Sequence, residues 1–219
     1  MKKLEELRQA YLRKASELSQ QRLESAERLA VSVMQTLTLL DMPRASFAAR
    51  FLERGPAEAI ADQFFTPVGI DRVEFVLSAN PGEDLKPLAR IASGGELSRI
   101  LLALKGILGS QGDAETLIFD EVDAGIGGRT AELVGLQLKR LAARQQVVCI
   151  THLPQIACYG DYHFKVTKEA GPEETSTNIH LLSRDDRVEE LARMLGGISI
   201  SEKTRAYARE MLQGAVQRS

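Results

Sequence analysis

The first 40 residues of the chain contain neither glycine nor proline, and this segment constrains the fold more than any other. Its apolar and small residues recur in steps of three, four and four, and the average of about 3.67 residues per turn favours a long, nearly straight helix. An apolar seam this narrow needs a partner helix to be stable. We expect a coiled-coil arm over residues 1–41; the alternative is an amphipathic helix packed on its own domain. The seam is formed by Leu4, Leu7, Tyr11, Ala15, Leu18, Ala26, Leu29, Val33, Leu37 and Leu40, with Arg22 as its one polar member.

Composition narrows the classes of protein to which the chain can belong. Its 219 residues suffice for one to two domains. Twenty-eight basic and 30 acidic residues give a net charge of −2, so no overall basic charge indicates a nucleic-acid partner. No apolar run approaches the roughly 20 residues that span a bilayer. The two cysteines, Cys149 and Cys158, are too few for a disulfide framework or a metal site, and we expect both to pack in the core.

Beyond Pro43, which we expect to end the first helix, the hydrophobic pattern changes its period. Alternating apolar residues predict two half-buried strands at 47–51 and 73–77, joined by a turn-rich connection over 55–69 that contains one short helix. Apolar strands then alternate with helices, which predicts an α/β fold with a mostly parallel sheet flanked by helices. The later elements are predicted as helices at 95–109, 129–144, 188–195 and 202–212, strands at 116–119 and 147–150, and a hairpin of 162–168 and 175–182 joined by a turn at Gly171 and Pro172.

Two successive glycines, Gly94 and Gly95, stand at the predicted start of a helix. Ser93 and Glu96 have the spacing of a capping box, which explains those two residues but not the glycines between them. Glycine lowers stability unless the backbone must approach something closely. A helix start with open N–H groups suits a phosphate, so we interpret this segment as a candidate anion site.

Two adjacent carboxylates, Asp120 and Glu121, follow the apolar strand at 116–119. Neighbouring acids repel each other and gain nothing from the core, so this strand end favours a functional role over a simple exit into solvent. In P-loop nucleotide hydrolases an Asp at such a place holds Mg²⁺, and a following Glu polarises the attacking water. Asp123 and a glycine-rich loop come next and lead into the following helix.

A second polar pair, Thr151 and His152, follows the apolar strand predicted at 147–150. In a parallel sheet, the carboxyl ends of strands face the crevice where ligands bind. His152 is therefore expected near the two carboxylates, where it can donate to a terminal phosphate or position water.

Taken together, these segments resemble, in order and spacing, the motifs of an ABC-type ATPase. Residues 92–99 (ASGGELSR) are similar to the signature motif, 116–128 (TLIFDEVDAGIGG) to Walker B with the D-loop, and 149–157 (CITHLPQIA) to the switch-histidine motif. Glu96, where transporters usually carry glutamine, and the coiled-coil helix ahead of the motifs favour the SMC-like branch that acts in DNA double-strand-break repair. The resemblance covers essentially the whole chain and implies an arm over 1–41 followed by the C-terminal lobe of the ATPase head over 42–219.

The resemblance also implies a role for each candidate residue. ATP and Mg²⁺ are the implied cofactors: Asp120 would organise the metal, Glu121 would be the general base for hydrolysis, and His152 would contact the γ-phosphate in the same head. In the family, two heads enclose two ATP molecules, so each site is composite. The implied nucleotide-binding residues are Ser93, Gly94, Gly95 and Glu96, which act on the ATP of the opposite head, and Asp123, which lies at the dimer seam.

One departure affects the expected activity, because no G-x-x-x-x-G-K-[ST] phosphate-binding loop occurs in the sequence. We therefore expect this chain to be the C-terminal half of a split head and to be inactive alone. The implied partners are the N-terminal half of the same head, a second copy in an ATP-bound homodimer, and DNA, with no membrane and a cytoplasmic, nucleoid-associated location. The alternatives are a non-catalytic coiled-coil and head interaction module and a transporter nucleotide-binding subunit.

Overall fold

A computed structural model describes residues 2–52, 65–91, 93–109, 116–170, 175–197 and 199–218. The turn expected at Gly171 and Pro172 lies outside these residues, as does most of the connection predicted over 55–69. The chain divides into two compact units, Met1–Ala92 and Ser93–Ser219. The predicted boundary between an arm and a head lobe at residues 41 and 42 stays a prediction.

The predicted long helix is confirmed as α1, which spans Lys2–Leu39. Burial of its apolar seam increases along the helix: the side chains of Leu4 and Leu7 are 73% and 61% exposed, whereas Val33 and Leu37 are completely buried. The chain itself thus covers the seam from Tyr11 onward, completely at its end, and leaves its first two members, Leu4 and Leu7, exposed. Its association with a partner helix stays a prediction.

Arg22, the one polar member of the seam, has a partner from the loop that follows residue 64. Its Nη1 donates to Oδ2 of Asp71 at 2.8 Å, and Ser19 Oγ donates to Oδ1 of the same carboxylate at 2.7 Å. About three turns before Arg22, the Tyr11 ring packs edge-on against Phe65 with 4.7 Å between the ring centroids. The loop therefore lies along the helix over a stretch where the sequence pattern indicates a coiled-coil seam.

The helix ends where the sequence predicts, but Pro43 is only part of the reason. Asp41 adopts a left-handed backbone conformation with φ of 63°. The N–H of Met42 then turns back and donates to the carbonyl of Leu37 at 2.9 Å, which satisfies a carbonyl in the last helical turn. Asp tolerates this conformation better than most residues because its short side chain bonds locally.

An antiparallel sheet completes the first unit and contains β1 (Ser46–Phe51), β2 (Val73–Ser78) and β3 (Lys86–Pro87), in that order. Both predicted strands are confirmed. Burial along β2 does not follow the alternation of apolar residues in its sequence. Val76 is completely buried, whereas Val73 is 42% exposed. A single 3₁₀ turn follows β3 and leads toward the second unit.

The second unit begins with the predicted alternation of helix and strand. In chain order its elements are α2 (Gly94–Leu108), β4 (Thr116–Phe119), α3 (Gly128–Ala142) and β5 (Gln146–Cys149). Strands β4 and β5 pair in parallel with α3 as the crossover, and Ile150 N donates to the Phe119 carbonyl at 2.9 Å beyond the last pair. The predicted fold class, a parallel sheet flanked by helices and preceded by a long helix, is confirmed.

The chain then forms a short helix, a hairpin and two closing helices. They are α4 (Pro154–Ala157), β6 (Phe164–Ala170), β7 (Thr175–Leu181), α5 (Arg184–Gly196) and α6 (Glu202–Gln217). Helix α5 starts four residues before its predicted position because Ser183 and Asp186 form a reciprocal capping box. None of the helices in the described ranges has the length and apolar character of a membrane span. The core here contains Cys158, Tyr159, Leu191, Ala192, Ala208 and Ala215.

A buried carboxylate joins the hairpin to α5. Glu190, with a side chain 8% exposed, lies 2.5 Å from Lys165 Nζ on β6 and accepts two hydrogen bonds from Nε of Arg193 and one from its Nη2. Burial alone raises the pKa of Glu190, but the hydrogen bonds from Arg193 and Lys165 outweigh it and bring that pKa below its ordinary value.

We predict that Glu190 makes the stability of the chain sensitive to acid. Because its pKa is lower in the folded state, the unfolded state gains a proton first, so the stabilisation is present above the ordinary value of 4.5 and is lost as the pH falls below it. Glu190→Gln is expected to lower the free energy of unfolding by about 1 to 3 kcal/mol at pH 7 and to flatten its dependence on pH.

Urea unfolding of the chain between pH 3 and pH 7 measures both effects. Glu210→Gln, at an exposed position on α6, is the matched control and should leave the pH profile of the wild type unchanged. An identical slope in wild type and Glu190→Gln would contradict the assignment.

Candidate functional site

The three predicted motifs converge at one edge of the second unit. The carboxyl ends of β4 and β5 are adjacent because the strands are parallel, and α2 begins beside them. Ser98 Oγ, in the second turn of α2, donates to the Asp120 carbonyl at 2.7 Å, and Arg99 Nη1 donates to the Ala124 carbonyl at 2.9 Å. The two hydrogen bonds fix the start of α2 against the loop after β4. Sequence reasoning did not give Ser98 or Arg99 a role, although both lie in the segment 92–99.

One of the two hydrogen bonds of the predicted capping box is present at the start of α2. Ser93 is the N-cap residue, and its side chain accepts a hydrogen bond from the Glu96 N–H at 3.4 Å. This is the first half of the predicted capping box. Ser93 and Gly94 are exposed, whereas Gly95 is buried.

The two glycines allow α2 to approach the loop after β4 closely. A Cβ on Gly95 would come within 2.7 Å of the Ala124 Cβ and 2.9 Å of the Glu121 carbonyl oxygen. A Cβ on Gly94 would come within 2.3 Å of Oε2 of Glu121. Contacts within the chain therefore explain part of the requirement for glycine at these two positions. The sequence alone indicates a bound anion as the reason.

The two adjacent carboxylates differ in conformation. Asp120 Oδ1 accepts a hydrogen bond from the Glu121 N–H at 2.9 Å, and both side chains are exposed. Glu121 has φ of 56°, in the left-handed region that side chains other than glycine rarely adopt. Such a conformation costs about 1 to 3 kcal/mol and concentrates at functional sites. The carboxylate of Glu121 consequently lies beside Gly94, at the positive end of the α2 dipole.

The other carboxylate of this loop, Asp123, is buried and connects the loop to the end of β5. Its Oδ2 accepts hydrogen bonds from Thr151 Oγ1 at 2.6 Å and from the His152 N–H at 2.9 Å. The Nδ1 atom of His152 lies 3.0 Å from the same oxygen, while the imidazole side chain is 75% exposed. The bonds that Asp123 makes are thus internal, and its expected place at a dimer seam stays a prediction.

Cys149 ends β5 next to this cluster. Burial, followed by the negative charges of Asp123 and Asp120, raises the pKa of its thiol to about 12. Burial also raises the pKa of Cys158 to about 11. Both thiols therefore stay protonated at neutral pH, which agrees with the packing role expected for them and excludes a thiolate nucleophile.

The donor set at this edge fits a magnesium nucleotide better than a metal held by protein alone. Among the described residues, no group of three or more His, Cys, Asp or Glu side chains could hold a metal ion. Mg²⁺ retains several waters and is commonly held by one or two carboxylates plus substrate phosphates. The exposed carboxylate of Asp120 meets that requirement, and the exposed N–H end of α2 suits an anion.

The similarity expected from the motifs is confirmed by comparison with curated proteins. The chain is 39% identical over 210 residues to the DNA repair protein RecN of Bacillus subtilis, which covers 93% of this chain and 36% of that protein. It is 46% identical over 202 residues to RecN of Treponema pallidum, covering 92% and 35% of the two chains. The chain thus spans about one third of the length of the curated relatives it matches. No protein-family model matches the sequence.

A solved structure supports the fold. The crystal structure of the Smc head domain with a coiled coil and joint from Pyrococcus yayanosii has a TM-score of 0.50 and is 19% identical in sequence. The match covers 77% of this chain and 29% of that chain. At this identity the likeness concerns the fold alone.

We predict that the two glycines respond differently to substitution. Gly95→Ala is expected to destabilise the chain by about 1 to 3 kcal/mol, because its Cβ meets the backbone of Glu121 and the Cβ of Ala124, neither of which yields easily. Gly94→Ala is expected to cost less, because only the mobile end of the Glu121 side chain has to move.

Urea unfolding of both variants measures the difference, and Gly106→Ala is the matched control because a Cβ there meets nothing within 4 Å. Equal loss of stability in Gly94→Ala and Gly95→Ala would show that the close approach described above does not decide the requirement for glycine.

Proposed function

From its similarity to RecN, we propose that this chain is the C-terminal half of an SMC-like ATPase head that acts in DNA double-strand-break and recombinational repair. The observation that carries the proposal is the meeting of three motif segments at one edge, with Gly94, Glu121, Asp123 and His152 linked by close contacts. A helix start, two carboxylates and a histidine are among the groups that nucleotide hydrolysis uses.

The proposed reaction is ATP hydrolysis with Mg²⁺. Bound Mg²⁺ would neutralise charge on the phosphates, and Asp120 would hold it on the exposed side of its carboxylate. Glu121 would act as the general base that accepts a proton from the attacking water. Its left-handed backbone supports this role, because strain of that kind persists where a side chain must be held in a particular direction.

The remaining candidate residues would bind the nucleotide from two copies of the head. His152 would contact the γ-phosphate in its own head. Ser93 and Gly94, whose exposure leaves them open to a ligand, would bind the γ-phosphate held by the opposite head. Gly95 and Glu96 are proposed members of the same segment, and Asp123 belongs to the loop proposed to lie at the seam between heads.

An exposed apolar surface on the β4–β5 pair supports a partner that completes the head. Ile118 and Val148 are neighbours across the two strands and are 70% and 44% exposed, and Ile150 directly beyond β5 is 57% exposed. Parallel sheets are normally covered on both faces. We propose that the N-terminal half of the same head, which would carry the P-loop, covers this surface.

The proposed consequence is a switch that ATP controls. ATP would join two heads, and hydrolysis would release them, so that the nucleotide biases a two-state equilibrium that the long helix α1 transmits. DNA is the proposed substrate of the complete protein.

The chain by itself is predicted to hydrolyse ATP negligibly, because it has no P-loop to hold the phosphates. Co-expression with a RecN N-terminal segment that carries a P-loop is expected to restore hydrolysis, measured as phosphate release. An Ile118→Asp variant should fail to assemble with that segment, because the substitution would bury a charge in the apolar surface. Hydrolysis by the chain alone would contradict the proposal.

Within the reconstituted head, Glu121→Gln is predicted to trap ATP and to stabilise the head dimer, because the amide cannot accept the proton. Phosphate release is expected to fall at least roughly 100-fold, while dimerisation with ATP, measured by light scattering, persists. Turnover at the wild-type rate would rule out Glu121 as the general base.

Nucleotide-dependent dimerisation separates the ATPase from a purely structural docking module. Ser93→Arg is expected to abolish ATP-dependent dimerisation by filling the anion site, and unchanged nucleotide-free dimerisation in that variant would favour docking.

A further inference from the structure

We propose that Asp123 is a positioning residue that keeps the hydrogen of His152 on Nδ1 and thereby presents Nε2 to the nucleotide. The proposal rests on the function proposed above and extends it, because the resemblance gives Asp123 a place at the dimer seam but no task within its own chain.

The contacts of one oxygen atom carry the argument. Two donors bind Oδ2 of Asp123, Thr151 Oγ1 at 2.6 Å and the His152 backbone N–H at 2.9 Å, and His152 Nδ1 lies 3.0 Å from the same oxygen in a charge contact. The two hydrogen bonds hold the carboxylate close to the imidazole. At 3.0 Å the negative oxygen favours a hydrogen on Nδ1 through its charge, although the contact is not an aligned hydrogen bond.

The chemistry of the two groups then selects the tautomer. An ionised carboxylate only accepts hydrogen bonds, so the ring nitrogen that faces it is stabilised when it carries a hydrogen. With the hydrogen on Nδ1, Nε2 has a lone pair for a water hydrogen or, once protonated, a hydrogen for a phosphate oxygen. These are the two tasks that His152 could perform beside a terminal phosphate.

The contrast in burial between the two side chains supports a positioning role. The side chain of Asp123 is 5% exposed and that of His152 is 75% exposed. A buried carboxylate is costly unless it is hydrogen-bonded, so its orientation is strongly determined. An exposed imidazole, in contrast, packs against little and needs a polar contact to restrict it.

Hydrogen bonds of Thr151 help to hold the Asp123 carboxylate in place. Its Oγ1 donates to Asp123 and also accepts from the Leu153 N–H at 3.0 Å, at the residue that caps α4. The carboxylate is thereby connected to the backbone on both sides of His152. A movement of the loop that carries Glu121 and Asp123 would therefore alter the orientation of the histidine.

The direct test is the tautomer of His152, read from long-range ¹H–¹⁵N correlations of the imidazole rings in this chain. The spectrum contains three histidines, and His163→Gln and His180→Gln assign the other two. Spectra are recorded at increasing pH until the imidazole ¹⁵N shifts no longer change, so that neutral rings are observed. The wild type is expected to show the Nδ1–H form, and an Nε2–H form in the wild type would overturn the proposal without any variant.

Two substitutions separate positioning from a general structural role. Asp123→Ala is expected to shift His152 toward the Nε2–H form, whereas Asp123→Asn, whose amide oxygen can still accept, is expected to retain the Nδ1–H form. An unchanged tautomer in Asp123→Ala would contradict the proposal. Should that variant fail to fold, Thr151→Val removes only the hydrogen bonds of the Thr151 hydroxyl and is expected to show a mixture of tautomers. An unchanged spectrum in Thr151→Val would count against the proposal.

Activity of the reconstituted head gives a separate readout. Asp123→Ala is expected to lower kcat roughly 10- to 100-fold, and the same substitution in a His152→Ala background to have no further effect. His152 could show the Nδ1–H form while the two substitutions lower kcat independently of each other. That result would leave the positioning geometry intact and would contradict the proposed role of His152 in hydrolysis.

Discussion

The parallel pairing of β4 with β5 determines where the candidate residues that follow the two strands lie. Because Phe119 pairs with Cys149, the residues that follow the two strands leave the sheet at the same edge. Asp120 and Glu121 therefore stand beside Thr151 and His152 although about 30 residues separate them, as parallel strands with a helical crossover require. A slip of one residue in this register would exchange the two faces of one strand and separate the carboxylates from the histidine.

Two features of this edge cost stability, and both follow from the shape of the site. Glu121 is held in a left-handed conformation, and Gly95 leaves out a side chain so that α2 can approach the loop. Hydrogen bonds from Ser98 and Arg99 to the loop offset these losses.

The sequence predicted the elements well because hydrophobic period reports directly on helices and strands. It predicted α2 and β4 and the parallel order of the sheet, and the motif spacing indicated which strand ends would carry chemistry. It missed α4 and the early start of α5, since one-turn helices and capping boxes depend on local hydrogen bonds. It also did not reveal that Asp123 turns inward to Thr151, because a side chain's partners depend on tertiary contacts and not on spacing.

The central claim is that each nucleotide site combines Glu121 of one head with Ser93 of another. Two variants of the reconstituted head, Ser93→Arg and Glu121→Gln, test it when they are mixed before ATP is added. Each is expected to be inactive alone, but a mixed dimer keeps one intact composite site. The account predicts that the mixture recovers up to roughly a quarter of the wild-type rate of phosphate release, as random pairing allows. No recovery beyond the sum of the separate variants would contradict it, because each site would then lie within a single copy.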